Sequence, residues 1–246
     1  MKKRDWGSDP YFFGPRQYFR QTLLASYIKG KKKTILDAGC GNGSLSFRIA
    51  NKGHKIIGID IAKGNVDFAK KVKESIGIKN IKFIQMSLTE ITFKDKLFDV
   101  IISGEVLEHI KDDDKVVKHF NRILKKGGQC IISVPQNPNL WSVEDDWVGH
   151  IRRYEKEELI NLLEKNGFRI DKINSIGFPL VRAYFYFFNK LVLKKKINKS
   201  KKTKENKFIH KIINIFSYIF FFDILFSCFN KGNWLILDAI KIKDVK

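Results

Sequence analysis

Ile35-Leu-Asp37-Ala-Gly39-Cys40-Gly41-Asn-Gly43-Ser-Leu-Ser46 decides how the rest of the chain is read. Three glycines at alternate positions follow a short apolar strand and open a helical pattern. A turn without Cβ atoms lets a ligand approach the main chain, and the helix N-terminus behind it offers unpaired N–H groups. A second strand, Lys55-Ile-Ile-Gly-Ile-Asp60, then ends in an acid, placed as the ribose-binding acid is in nucleotide folds. The dinucleotide fingerprint G-x-G-x-x-G does not fit. Its third glycine falls on Ser44 counted from Gly39, and on Ser46 counted from Gly41. The pattern present is D-x-G-x-G-x-G, beginning at Asp37.

The segments behind that loop come in a definite order. Ile81-Lys-Phe-Ile-Gln-Met86 reads as a third strand and Phe98-Asp-Val-Ile-Ile102 as a fourth. Glu105-Val-Leu-Glu108-His109-Ile110 follows, then a helix ending in Arg122-Ile-Leu-Lys-Lys-Gly-Gly128. A fifth strand, Gln129-Cys-Ile-Ile-Ser-Val134, stops at Pro135. With the glycine loop, this series resembles the class I S-adenosylmethionine (SAM)-dependent methyltransferases over roughly residues 33–177. The resemblance implies an α/β fold, a seven-stranded mostly parallel sheet with helices on both faces and a helical insertion between the last two strands. The chain of 246 residues then forms a single domain. Residues 1–30 supply an N-terminal lid helix, 33–177 the SAM-binding core, 178–230 the insertion and 233–242 the last strand.

The same resemblance implies S-adenosyl-L-methionine as cofactor. Asp37, Gly39, Cys40, Gly41 and Gly43 match the motif whose loop holds its amino-acid end, and Asp60 matches the acid that accepts from both ribose hydroxyls. Ile61 is expected against the adenine. Ser87 and Leu88 stand where the family commonly has an acid for the adenine amino group, with Glu90 as that acid if the register slips. Ser103, Gly104 and Glu105 are expected to pass beside the sulfonium, with His109 just beyond. An imidazole there suits a general base acting on a hydroxyl, while Glu108-His109 as a structural loop closure is the alternative.

The loop from Trp141 to Tyr154, with Gly149-His150-Ile-Arg152-Arg153-Tyr154, resembles a narrower group. It is similar to methyltransferases of glycan and lipid-linked saccharide assembly, and to ubiquinone-pathway O-methyltransferases. His150 is then a second candidate base, and Trp141, Arg152, Arg153 and Tyr154 are expected to bind the acceptor. Arginine forks suit carboxylate or phosphate. The alternative is that both arginines pair with the acidic start of the helix at 155–166. The implied activity is O-methylation of a small-molecule or lipid-linked acceptor. An RNA or protein methyltransferase, or a non-catalytic partner subunit of the same fold, are the alternatives.

Composition bears on partners. The net charge is +21, but only nine of the 47 basic residues are arginine. A nucleic-acid reader more often clusters arginines with aromatics, and no (D/N)-P-P-(Y/F) tetrad follows the fourth strand, so nucleic acid is a secondary expectation. Three cysteines at these spacings suggest neither a disulfide framework nor a metal site. No apolar stretch follows the charged N-terminus, so a cytoplasmic protein is expected.

The insertion is the most unusual segment after the glycine loop. Residues 178–193 are almost wholly apolar, residues 194–207 carry eight lysines and one acid, and residues 212–229 are apolar again. An 18-residue helix is about 27 Å long, near a bilayer core's thickness. Asp223 near its middle would cost roughly 2.5–3.5 kcal/mol in lipid, against full spanning. Two readings remain: a helical cap roofing the substrate site, or an interfacial hairpin whose lysine rim meets an anionic membrane surface.

Overall fold

The computed structural model describes residues 15–188 and 218–245. Seven strands form one sheet: β1 (Thr34–Ala38), β2 (Lys55–Asp60), β3 (Ile81–Gln85), β4 (Phe98–Gly104), β5 (Leu124–Pro135), β6 (Phe168–Ile176) and β7 (Trp234–Lys241). Their order is β3-β2-β1-β4-β5-β7-β6, and β7 runs antiparallel to both neighbours. The helices are α1 (Pro15–Ser26), α2 (Ser44–Ala50), α3 (Lys63–Ile76), α4 (Asp113–Ile123), α5 (Val143–Val148), α6 (Lys156–Lys165) and α7 (Leu180–Phe188).

The period-two alternation of each strand builds two cores. Leu36, Ile101, Cys130 and Ile132 face α4 and α6, where Val117, Phe120, Leu159 and Leu163 are buried. Ile35, Val100, Ile102 and Ile131 face the other way, against Phe19 and Leu24 of α1, Leu45 and Ile49 of α2, and Val66 of α3. With both faces covered, the strands carry near-continuous apolar runs. Reversal of strand order occurs between β1 and β4, and the crevice outside their carboxyl ends is where such sheets bind ligands.

Two boundaries differ from the sequence reading. The helix expected to run to Gly128 stops at Ile123, because Leu124 already pairs with Phe98 in the sheet. An irregular register between Phe98 and Val100 takes up the Lys-Lys-Gly-Gly stretch that follows. In the insertion, α7 is followed, beyond residues 189–217, by a 3-10 helix at Phe220–Phe229. The apolar stretches expected at 178–193 and 212–229, and the lysine run between them, lie partly outside the described residues.

Asp223 has a role the sequence did not suggest. It is fully buried and accepts the N–H groups of Leu180 (2.8 Å) and Val181 (2.9 Å), so it caps the N-terminus of α7 from 43 residues away. Phe220 is buried edge-on between Phe19 and Tyr184. Among the described residues, no helix is long and apolar enough to cross a membrane.

Candidate active site

A cavity of about 830 Å³ opens at the carboxyl ends of β1, β2 and β4. Its floor is the glycine loop. Gly39 has φ +80°, and a Cβ there would lie 2.4 Å from Val106 Cγ2, so only glycine fits. The Gly39 and Cys40 N–H groups both donate to the Ile59 carbonyl, fixing the loop to β2. Gly41 differs: its φ is +52°, yet a Cβ would meet no protein atom within 4 Å. Protein packing leaves open space above Gly41, on the cavity wall, where a ligand can lie against the main chain.

Asp60 closes the far side of this floor. One carboxylate oxygen accepts the Gly41 N–H at 2.9 Å and the other accepts the Ala62 N–H at 2.8 Å. Two bonds orient the group and leave lone pairs for two hydroxyls, since an ionised carboxylate offers about four acceptor sites. Ile61 beside it is 71 % exposed and lines the cavity, an apolar face suited to a flat ring. Asp37 lies beneath, 2 % exposed, accepting the Ser46 hydroxyl at 2.6 Å. Burial pushes its carboxyl up to about 6. Burial, with Asp37 and Asp60 nearby, also raises the Cys40 thiol well above its ordinary range, so Cys40 is a small loop residue rather than a nucleophile.

Ser87 lines the cavity too, but its hydroxyl accepts the Thr89 N–H at 3.2 Å as the cap of a short 3-10 turn. Leu88 is buried beside it. Glu90 is exposed and off the cavity, so the register does not slip to it. At the end of β4, Gly104 and Glu105 line the cavity, while Ser103 is fully buried and does not. Successive strand residues point to opposite faces, which removes Ser103 from the site. Glu105 adopts φ +60°, and one of its oxygens receives Arg20 and the Trp234 indole N–H, both at 3.1 Å.

The other end of the cavity holds two imidazoles. His109 comes from the 3-10 turn Leu107–His109 after β4, and His150 from the segment after α5. Their rings lie 4.8 Å apart, steeply inclined. His150 Nδ1 sits 2.7 Å from Asp145 Oδ1, and His109 Nδ1 sits 3.1 Å from the Gly149 carbonyl. Burial, with His150 alongside, lowers the His109 pKa, which keeps that ring neutral at pH 7. Glu108, between them in sequence, is fully buried with neither carboxylate oxygen bonded. Burial and the Glu105 charge raise its carboxyl well above the usual range.

The four residues expected to bind an acceptor separate. Arg153 lines the cavity, but its guanidinium grips Asp145 with two bonds, Nε to Oδ1 at 2.9 Å and Nη2 to Oδ2 at 2.8 Å. Arg152 points elsewhere, donating to Asp113 at 2.7 Å, and Tyr154 is fully buried with its hydroxyl on the same carboxylate at 2.7 Å. Neither arginine pairs with the start of α6. Trp141 lies off the cavity, its indole N–H on Asp146. The chain from 151 to 154 is extended, held by Ile151 N–H to Glu108 O and Tyr154 N–H to Pro135 O. Alternate side chains therefore face opposite ways, 152 and 154 to Asp113 and 153 to Asp145.

Several cavity residues come from outside the motifs. Glu144 and Asp145 of α5 and Trp234 of β7 had no distinguishing pattern in sequence. Arg16 of α1 clamps Glu144 with two bonds, at 3.2 and 2.7 Å, so α1 and α5 join across the cavity mouth. The expected N-terminal helix thus both packs on the sheet through Phe19 and Leu24 and walls the cavity through Arg16, Arg20 and Gln21.

Comparison with known proteins agrees with this architecture. The sequence model of a methyltransferase-domain family matches residues 29–173, and the chain belongs to that family. The ubiquinone biosynthesis O-methyltransferase of Rickettsia prowazekii is 32% identical over 117 residues, covering 48% of this chain and 46% of that protein. The protein of the same name from Pelagibacter ubique is 29% identical over 192 residues, covering 67% of this chain and 76% of that one. The matched part of the chain spans about half the length of the Rickettsia and Coxiella relatives. Among solved structures, Haemonchus contortus phosphoethanolamine N-methyltransferase 2 in complex with S-adenosyl-L-methionine shares the fold, with a TM-score of 0.66 at 18% identity, covering 94% of this chain and 54% of that one.

Proposed function

We propose that this methyltransferase uses SAM to O-methylate a small hydroxylated acceptor of quinone-type or lipid-linked glycan chemistry. The observation that carries the reading is that one cavity contains both the glycine loop with Asp60 and the imidazole pair. The names of the Rickettsia and Pelagibacter relatives support the quinone-type acceptor.

The residues present fit the cofactor. The uncovered main chain at Gly41, the two-oxygen acceptor of Asp60 and the exposed face of Ile61 are what an amino-acid end, a ribose and a purine need. Bound there, SAM supplies a methyl group on a sulfonium. The chain's own part is to align an oxygen nucleophile in line with the departing sulfur, exclude water and manage the hydroxyl proton. α1 and α5, joined by Arg16 and Glu144, cover the cavity. The acceptor hydroxyl is activated at the end formed by His109 and His150.

A test of acceptor class is transfer of tritiated methyl from SAM to a panel of membrane lipid extract, small phenols, RNA and total protein. Label in a lipid-soluble or phenolic product is expected. Label confined to RNA or protein, or none while SAM binds, would overturn the O-methylation reading.

Asp37 gives a pH prediction. Its carboxyl titrates near 6 in the free protein, and an ammonium group brought beside it favours the ionised form. Cofactor binding then releases a proton, so affinity is full above about pH 7 and falls as pH drops through 6, by up to about tenfold per unit. The cofactor's own ammonium and carboxylate keep their charges over this interval. Calorimetry at pH 7.5 and pH 5 checks it, and equal affinities would contradict it.

The location proposed is the cytoplasmic face of a membrane, held peripherally through the insertion. Tyr186, Phe187, Tyr218, Phe222, Leu225 and Phe229 are exposed together with the lysine-rich sequence, which supports an apolar and cationic surface facing anionic lipid. Flotation with anionic liposomes should recover the protein at low salt and less at high salt. Replacing Phe222 and Leu225 with serine should reduce recovery severalfold while leaving SAM affinity intact. Equal recovery by wild type and variant would return the insertion to a simple roof.

A further inference from the structure

We propose that Glu108, His109 and His150 hold a divalent first-row transition-metal cation at the acceptor end of the cavity. One ligand atom from each lies within 4.8 Å of the other two, and His150 Nε2 is 3.7 Å from Glu108 Oε1. Ligands at about 2.1 Å in tetrahedral array lie roughly 3.4 Å apart, so small side-chain rotations close the set.

Three features point to a cation rather than to a chance cluster. Glu108 is 0% exposed with both carboxylate oxygens unbonded among the protein's atoms, an uncommon state that a cation would compensate. His150 has its Nδ1 against an Asp145 carboxylate and His109 has its Nδ1 against a backbone carbonyl. Both partners are acceptors, so each Nδ1 must carry the proton and each Nε2 the lone pair. A carboxylate or carbonyl behind the imidazole is the arrangement found around metal-bound histidines. Asp145 is itself fixed by Arg153 and by the Ser142 N–H and hydroxyl, so the orienting group does not turn away.

Two imidazoles and one carboxylate form a donor set of intermediate softness, suited to zinc, iron(II), cobalt or manganese. His109 and His150 line the cavity and Glu108 lies behind them, so an unfilled position would face the cavity. The consequence rests on the methyl-transfer reading above. A hydroxyl bound at that position loses its proton to water more readily. Its oxygen then forms the O–C bond as the S–C bond breaks, leaving a methyl ether, S-adenosylhomocysteine and one proton. The sequence gave no hint of this set, because His150 follows Glu108-His109 by some 40 residues.

The test uses the full chain, stripped with chelator and titrated with cobalt(II) without cofactor. One equivalent per chain is expected, with the visible absorption of a four- or five-coordinate ion, competed by zinc. Glu108→Gln and His150→Ala should each weaken binding by at least about a hundredfold, with SAM affinity retained as evidence of folding. Absence of stoichiometric cobalt binding by the wild type overturns the proposal, whatever the variants do, as does unchanged binding by both folded variants. SAM binding and methyl transfer without a cation would sink this inference alone. Cation binding without methyl transfer to any acceptor would sink the function and leave the metal site.

Discussion

Replacing Asp145 with alanine is expected to remove about 3–5 kcal/mol of folding stability, the usual cost of breaking a buried ion pair by deleting one partner. Asp145 is 1% exposed and receives Arg153 through two bonds, the Ser142 N–H and hydroxyl, and His150. Without it the buried Arg153 guanidinium keeps only the Gln136 carbonyl at 3.3 Å. For a domain of this size the melting temperature should fall by roughly 6–20 °C. Arg152→Ala is the contrast. Its pair with Asp113 is partly open to water, so about 1 kcal/mol is expected. Urea denaturation of the three proteins measures both numbers. A loss under 1 kcal/mol for Asp145→Ala would mean that the Asp145–Arg153 pair does not hold this wall of the cavity.

Asp60→Ala is expected to reduce SAM affinity by at least tenfold. Each hydrogen bond from a ribose hydroxyl to a charged acceptor contributes about 1.5–3 kcal/mol, and 1.4 kcal/mol is already a factor of ten. The variant also frees the Gly41 and Ala62 N–H groups that Asp60 now holds, which loosens the loop and adds to the loss. Asp60→Asn separates the two effects, because its single carbonyl oxygen keeps one acceptor. Its affinity should fall between those of the wild type and the alanine variant.

The sheet and the cofactor floor were legible in the sequence because they rest on local rules. Period-two runs marked the strands, positive-φ glycines marked the turns, and Asp60 at a strand end marked the ribose site. The acceptor end was harder to read for a geometric reason. In the extended run 151–154, Arg152 and Arg153 are neighbours in sequence yet face opposite sides, and only Arg153 reaches the cavity. The same alternation buries Ser103 while Gly104 and Glu105 line the site. Asp145, Glu144 and Trp234 reach the cavity through tertiary contacts between distant segments, which no spacing rule encodes. Asp223 illustrates the point in the insertion, where a charge read as a liability for a membrane helix is a helix cap.

The central claim is that the cavity above Gly41 and Asp60 is a SAM site. Isothermal calorimetry of the wild-type chain against SAM, S-adenosylhomocysteine and NAD in parallel tests it most directly. The account predicts one site per chain for SAM and its demethylated product, lost together in Asp60→Ala, with NAD binding at least tenfold more weakly. Tighter binding of NAD than of SAM, or SAM affinity unchanged by Asp60→Ala, would contradict it.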